Sequence, residues 1–307
     1  MRVSSNMMNT TMYSAMVKSN VSYYETAAKM ATGNRMLRPS DDPLAARAIQ
    51  DLRHSENQIN TYMDNLNNLE SIFMSADSYL TQMNSICDRI TEIAINIGSG
   101  TASPEELEAY AAELSELNEA LALQCNGTSP TGFYMFGGNV TDKPPIVEET
   151  DPVTGDTTWV YQGDTGSRPV PIGEGTTIES AFSPFADLFG TGDDIFNTID
   201  DTVDILRDPN STPEQIAQAS DELLVSVGEF QDAVNMQLAE LGGRMNMVDD
   251  VQLSHTDVLM FNQQLQGQFG DLDYAQAAMD LSESAVALQA IQKTYLDMSQ
   301  MNLFQMM

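Results

Sequence analysis

The sequence predicts a mainly α protein with a small β insertion, a long antiparallel helical bundle in which coiled-coil seams carry the core. Three observations predict it. Ile59, Leu66, Phe73, Leu80, Cys87 and Ala94 recur every seven residues, and Tyr62, Leu69, Ala76, Met83, Ile90 and Ile97 follow each of them by three, so twelve apolar or aromatic positions make one narrow seam. Two strong helix starts, Ser103-Pro-Glu-Glu106 and Thr212-Pro-Glu-Gln215, combine a hydroxyl N-cap, proline at the first helical position and an acid or amide three residues after the cap. Between the helical halves, residues 130 to 190 are dense in Gly, Pro, Thr and Asp and carry short strand-like runs.

The seam from Ile59 to Ile97 lies on a helix roughly 60 Å long. Its intervening positions are mostly polar, so the rod needs other long helices beside it, from the same chain or from neighbours. Upstream, Val3, Met7, Thr10, Ser14, Val17, Val21, Tyr24, Ala28 and Ala31 alternate at steps of four and three, giving a first helix with a thin, partly polar seam. Such a face does not offset the entropy of ordering the helix on its own. Gly33 and Asn34 stop it. The hinge Arg38-Pro39-Ser40-Asp41-Asp42-Pro43 follows, where Pro39 blocks helix continuation and Asp42 caps the next helix with Pro43 in its first position.

Gly98 and Gly100 end the rod, and the helix opened by Ser103 folds back antiparallel with the stripe Leu107, Tyr110, Leu114, Leu117 and Leu121. The β insertion is expected to hold strands at Phe133 to Phe136, Thr157 to Gln162 and Arg168 to Ile172, with a turn at Asp151 to Asp156. Helix returns at Asp194 to Leu206. The helix opened by Thr212 carries Leu223, Val227, Phe230, Val234, Leu238, Leu241, Met245 and Val248, then the more polar Gln252, His255, Leu259 and Asn262. Gly242 and Gly243 within it cost about 1 kcal/mol each against alanine, which marks a kink or a close helix approach. Gly267, Gly270 and Asp271 form a second hinge, and Tyr274 to Phe304 is a last helix with the line Tyr274, Ala278, Leu281, Ala285, Leu288, Ile291, Tyr295, Met298. Three domains follow: residues 1–43 with 268–307 as a terminal coiled coil, 44–129 with 191–267 as the long-helix bundle, and 130–190 as an outer β domain.

Composition narrows the function. The net charge is −32, which argues against nucleic acid and anionic membrane as ligands. Residues 1–53 hold seven Lys or Arg against four Asp or Glu, whereas the remainder holds six against 41, so the N-terminal arm differs electrostatically from an acidic body. Cys87 and Cys125, the two cysteines, fall on apolar helix faces at different distances from the turn and are expected as buried hydrophobes, not a disulfide. No run of 18 apolar residues occurs and residues 1–30 lack an apolar secretory core, so the chain is expected to stay inside the cell or to leave without a cleaved signal peptide.

Catalytic and metal chemistry find little support. His54 and His255 each lack a second histidine one turn away, and the paired acids Asp193-Asp194, Asp200-Asp201 and Asp249-Asp250 lack the alternating calcium loop. Gly132, Gly137 and Gly138 do not join a strand to a helix as phosphate loops do, and no Ser, His and Asp set is recognisable. No enzyme, cofactor or metal is expected.

The opening Met1-Arg-Val-Ser-Ser-Asn-Met7, the segment Ala31-Thr-Gly-Asn-Arg-Met-Leu-Arg-Pro-Ser-Asp-Asp-Pro43, the stretch Gly132-Phe-Tyr-Met-Phe-Gly-Gly138 with Thr141 to Pro145, and the end Ile291-Gln-Lys-Thr-Tyr-Leu-Asp-Met-Ser-Gln-Met-Asn-Leu-Phe304 resemble the flagellin superfamily. Within it, the Arg38 to Pro43 hinge and the chain's end are most similar to the subunits that join hook to filament. The resemblance implies a structural subunit of the bacterial flagellum, extracellular, that provides the platform for flagellin assembly. It implies a terminal coiled coil lining an inner tube, long helices in the next shell and a β insertion facing outwards. The implied partners are flagellin, the other hook-associated junction protein, copies of itself in a ring, and a cytoplasmic export chaperone on the C-terminal helix, with type III export as the route. The interface residues expected from the two readings together are Val17, Val21 and Tyr24 against Leu281, Leu288, Ile291, Tyr295 and Met298, with Arg38, Pro39, Ser40, Asp41, Asp42 and Pro43 setting the angle between layers. The rival readings are a flagellin that polymerises without limit and an injected coiled-coil tip or effector protein.

Because the terminal seams are thin, deleting residues 1–30 or 275–307 is expected to leave a soluble, folded middle that no longer assembles. Circular dichroism of the truncated chains and their incorporation into flagella measure the two halves of that expectation.

Overall fold

A computed structural model describes residues 2–150, 157–166, 168–182 and 194–304, with the side chains of 2–6, 8, 9 and 298–304 outside the description. The expected turn at Asp151 to Asp156 also lies outside the described residues. The elements run α1 (Arg2–Thr32), α2 (Pro43–Gly98), α3 (Pro104–Cys125), β1 (Ile146–Thr150), β2 (Thr157–Tyr161), β3 (Pro169–Gly173), β4 (Thr176–Glu179), α4 (Ile195–Arg207), α5 (Pro213–Gly270) and α6 (Tyr274–Phe304).

The chain divides into two compact units, Met1–Gln58 with Thr256–Met307, and Ile59–His255. This differs from the three-part division expected from sequence. The boundary falls inside α2 and α5, where the seam turns polar at Gln252 and His255, and not at the proline hinge. The β insertion belongs to the long-helix unit because its apolar residues Phe136, Ile146, Ile172, Ile178 and Phe182 share one continuous core with α2.

In the long-helix unit the heptad seam is the core. Ile59, Leu66, Leu69, Phe73, Ala76, Leu80, Met83, Cys87, Ile90, Ala94 and Ile97 are all buried, and Tyr62 is half-buried. Ile93 joins them, and from α5 Leu223, Val227, Phe230, Val234, Leu241 and Val248 fill the same cluster. α3 contributes Leu114 and Leu121 as expected, and also Ala111, Asn118, Ala122 and Cys125, so its inward face is broader than the leucine stripe. Both start signals form: Ser103 Oγ accepts from Glu106 N while Glu106 Oε2 accepts from Ser103 N at 2.7 Å, and Thr212 and Gln215 make the same exchange. Arg89 reaches from α2 to Glu113 of α3 at 2.6 Å, which fixes the antiparallel pairing across the turn.

α4 ties the insertion to the bundle. The buried Asn118 amide donates to Phe196 O and to Asp200 Oδ1, and the other Asp200 oxygen accepts from Trp159 Nε1 at 2.8 Å. Asn197 accepts from Trp159 N and donates to Trp159 O, capping β2 against the helix. Likewise the Asn126 side chain stands in for a backbone partner, donating to Ile146 O and accepting from Ile146 N. The insertion holds two antiparallel hairpins, β1-β2 and β3-β4. The strand expected at Phe133 to Phe136 is instead a glycine-turned loop with a single bridge from Tyr134 to Thr128, while β1 and β4 were not foreseen. Gly138, at φ +65°, explains the loop: a Cβ there would stand 2.2 Å from Asp164 O.

One smaller expectation changes, and that of two buried free cysteines is met. α5 runs unbroken through Gly242 and Gly243, and among the described residues nothing beyond their own turn of helix lies within 4 Å of where their Cβ atoms would be, so no close approach of another described element uses them. Cys87 and Cys125 are buried free thiols, the Cys87 thiol being pushed up to about 12 by burial.

Since Leu80 is fully buried at the centre of the seam, Leu80→Ala is expected to cost about 2–5 kcal/mol, read from urea unfolding. The same change at Leu123, 69% exposed on α3, is expected to stay within about 0.5 kcal/mol.

Candidate functional site

The candidate site is a surface built by α1, α6 and the hinge, all in the terminal unit. α1 and α6 pair antiparallel: Ser19 Oγ donates to Ser284 O at 3.5 Å, and further along Tyr274 Oη donates to Met30 O at 3.3 Å. The α1 residues drawn partly out of solvent include Met12, Ala15, Met16, Ser19, Tyr23, Ala27, Ala28 and Met30. On α6, Ala277 is buried and Leu281, Ser284, Leu288 and Ile291 are half-buried.

The expected pairing is therefore corrected on one side. Leu281, Leu288 and Ile291 do lie on the covered side of α6, but Val17, Val21 and Tyr24 are 44%, 50% and 68% exposed, on the other side of α1. Tyr295 is exposed as well, and the side chain of Met298 lies outside the described residues. The physical reason is that α1 carries two apolar lines, not one. The covered side sets the small Ala15, Ser19 and Ala27 among Met12, Met16, Tyr23 and Met30, and takes the intrachain contact. The second line, with Met7, Tyr13, Val17, Val21 and Tyr24, is left outside, and Met279, Val286 and Leu296 do the same on α6. A helix apolar on both sides is one built to be surrounded.

The hinge is an ordered loop held by backbone bonds to the turn between α5 and α6. Arg35 N donates to Gly270 O at 2.8 Å, Leu272 N to Gly33 O at 2.9 Å, and Arg35 Nε to Phe269 O at 3.2 Å. Gly33, at φ +73°, closes α1 in the left-handed conformation that glycine tolerates. Asp42 works twice: Oδ1 accepts from Ala45 N at the start of α2, and Oδ2 pairs with Arg35 at 3.0 Å. Asp41 Oδ2 accepts from the backbone N–H groups of Arg38 and Leu37, and the Arg38 bond is the main cause that holds its carboxyl below the usual range. Arg38, Pro39 and Ser40 stand exposed, and Pro43 occupies the first position of α2 as expected.

The chemistry of this surface is packing and hydrogen bonding. Among the described residues no group of three or more His, Cys, Asp or Glu is placed to hold a metal ion, and no helix is long and apolar enough to cross a membrane. His54 is exposed; His255 Nε2 bonds Ile172 O at 2.7 Å with its ring stacked on Tyr62, a structural clamp that sequence spacing alone does not reveal.

Paired terminal helices, a capped hinge and a heptad bundle with a hairpin insertion make up the fold around this surface. The model of the bacterial flagellin N-terminal helical region matches residues 3–141. The chain is 25% identical to flagellar hook-associated protein 3 of Salmonella typhimurium over 315 residues, covering 100% of this chain and 99% of the relative. Among solved structures, a putative flagellar hook-associated protein from Vibrio parahaemolyticus matches with a TM-score of 0.68 at 22% identity, covering 75% of this chain and all of that one. The flagellar junction protein of Legionella pneumophila matches with a TM-score of 0.59 at 14% identity, over 73% of this chain and all of that one.

With both oxygens of Asp42 engaged, Asp42→Ala is expected to lower stability by about 1 kcal/mol and to speed amide exchange at Ala45 and Ala46. Protection factors at those two amides, against unchanged ones around Leu80, measure it.

Proposed function

We infer that this chain is a structural subunit of the bacterial flagellum that forms the junction between hook and filament and gives flagellin a platform on which to assemble. The observation that carries the reading is the full-length likeness to hook-associated protein 3, which spans hinge, hairpin insertion and both terminal helices alike. The geometry supports it with the uncovered apolar line Val17, Val21, Tyr24 on one helix and Met279, Val286 on its partner, surfaces suited to neighbouring subunits.

The finer picture is part of the proposal. α1 and α6 line an inner tube and the long-helix unit forms the next shell, with the hairpins outwards. The hinge from Arg38 to Pro43 sets the angle between the layers. Copies form a ring that meets the other hook-associated junction protein on one side and flagellin on the other. Before that, the chain passes through the flagellar type III apparatus, escorted by a cytoplasmic chaperone on α6. No step of this role is a chemical reaction.

A filament subunit is the second reading, favoured by the flagellin match over residues 3–141. Purified chain seeded on filament ends separates the two, since a junction subunit stops as a short cap whereas a flagellin grows long tubes.

A strain lacking the gene is expected to build hooks, lack filaments and spill flagellin into the medium. Restoring the chain with Val21→Asp, which places a charge on the uncovered line, is expected to leave the monomer's helix content unchanged and filament number near zero. Filaments in the deletion strain would overturn the function, and filaments with the aspartate variant would overturn the role of that line.

A further inference from the structure

The long-helix unit carries an acidic cleft that the assembly role just proposed does not itself require. It lies between α4 and α5, encloses about 500 Å³ and is lined by Asp201, Asp221, Glu222 and Glu229 with no Lys or Arg among its walls. Glu222 accepts from Gln218 Nε2, and none of the four carboxylates has an ion-pair partner among the described residues. Burial, and then the neighbouring charges of Asp204, Asp200 and Glu222, push the Asp201 carboxyl upward, so the cleft as it stands disfavours its own charge. Ser226, only 8% exposed, also lines the cleft, and its hydroxyl makes no hydrogen bond among the described residues. A largely buried serine whose solvent-reached hydroxyl has no partner, beside unpaired carboxylates, suits a hydrogen-bonding cation.

The complementary surface is on the same sequence. Arg38 and Arg53 line an opening of about 460 Å³ beside the hinge, with Gln50, Gln263 and Gln266 around them and Asp271 as its one acid. Both arginines are exposed and neither forms an ion pair among the described residues. They belong to the N-terminal arm, where seven basic residues face four acidic ones in a chain of net charge −32. In so acidic a protein, copies repel one another unless the few free cations meet the unpaired acids.

We propose that the cleft between α4 and α5 receives the guanidinium groups of Arg38 and Arg53 from a second copy of this chain. The proposal rests on the reading that copies assemble side by side and adds which surfaces meet. Guanidinium fits better than ammonium because its planar fork can bond two carboxylate oxygens while a remaining N–H reaches the Ser226 hydroxyl. The contact would relieve the carboxylate crowding around Asp201 and leave the apolar lines of α1 and α6 free for the inner tube.

The test mixes two full-length variants, Val225→Cys, on an exposed residue of the cleft wall, and Gln50→Cys, beside Arg53, and joins them with a short bismaleimide; Cys87 and Cys125 are buried and stay silent. A mixed dimer is expected at least tenfold above the yield from Val225→Cys with the exposed Asn60→Cys. Glu222→Arg with Glu229→Arg should cut that yield about tenfold, the milder Glu222→Gln with Glu229→Gln should cut it less, and adding Arg38→Glu with Arg53→Glu to the Gln50→Cys partner should recover part of the loss. A yield no higher than the Asn60 control, or one unmoved by either pair of substitutions, overturns the contact. The function is read separately in the deletion strain. A chain that cross-links as expected yet restores no filaments sinks the junction reading alone, whereas one that restores filaments with both charges reversed and no cross-link sinks the contact alone.

Discussion

Burial of the α2 seam is the constraint from which the rest of the long-helix unit follows. Eleven of its twelve heptad positions are buried, and each partner is placed by the need to cover them. α3 folds back because residues 99–103 leave too little chain for another geometry, and Arg89 with Glu113 fixes the register. α5 returns along the opposite side with Leu223, Val227, Phe230 and Val234. Where the seam turns polar, at Gln252 and His255, the unit ends. A narrow repeat of 3.5 residues thereby sets both the length of the bundle and the place where its second unit begins.

The terminal unit is organised on the opposite principle. Its helices have no single apolar side, so their pairing covers only part of what is apolar, and the remainder waits for other molecules. The order in this unit comes from the chain around the hinge, where Gly33 and Arg35 bind the turn between α5 and α6 through backbone groups that do not depend on side-chain identity, and the Asp42 side chain ties Arg35 to the start of α2. The long-helix unit thus holds a continuous apolar core of its own, while the terminal helices leave apolar surface uncovered.

Much of the fold was legible because its signals are local. Heptads, capping boxes at Ser103 and Thr212, proline at the first helical position and glycine at the end of α1 act within a few residues, and each formed where the sequence placed it. The insertion was less legible because its structure is set by distant partners. Phe133 to Phe136 alternates like a strand, but the close approach of Gly138 to Asp164 and the bond from Met135 N to Gly127 O hold it as a loop. β1 went unseen since its first residue is paired by the Asn126 side chain, twenty positions away. On α1 the side that faces α6 is not the one the sequence suggests, because apolarity ranks Val17, Val21 and Tyr24 above Ala15, Ser19 and Ala27 and says nothing of which line the partner helix covers. The acidic cleft could not be read at all, as four carboxylates on two helices become neighbours only after folding.

The insertion's place in the shared core has a practical side. Because Phe136, Ile146, Ile172 and Phe182 are anchored in the same cluster as Phe73 and Leu80, the hairpins are not a detachable ornament that foreign sequence could replace wholesale. The tip between β3 and β4 is different: among the described residues no atom lies within 4 Å of a Cβ built on Gly175. An epitope or a fluorophore-binding tag grafted between Glu174 and Thr176 would extend from a turn into open space, offering a handle for labelling the intact chain.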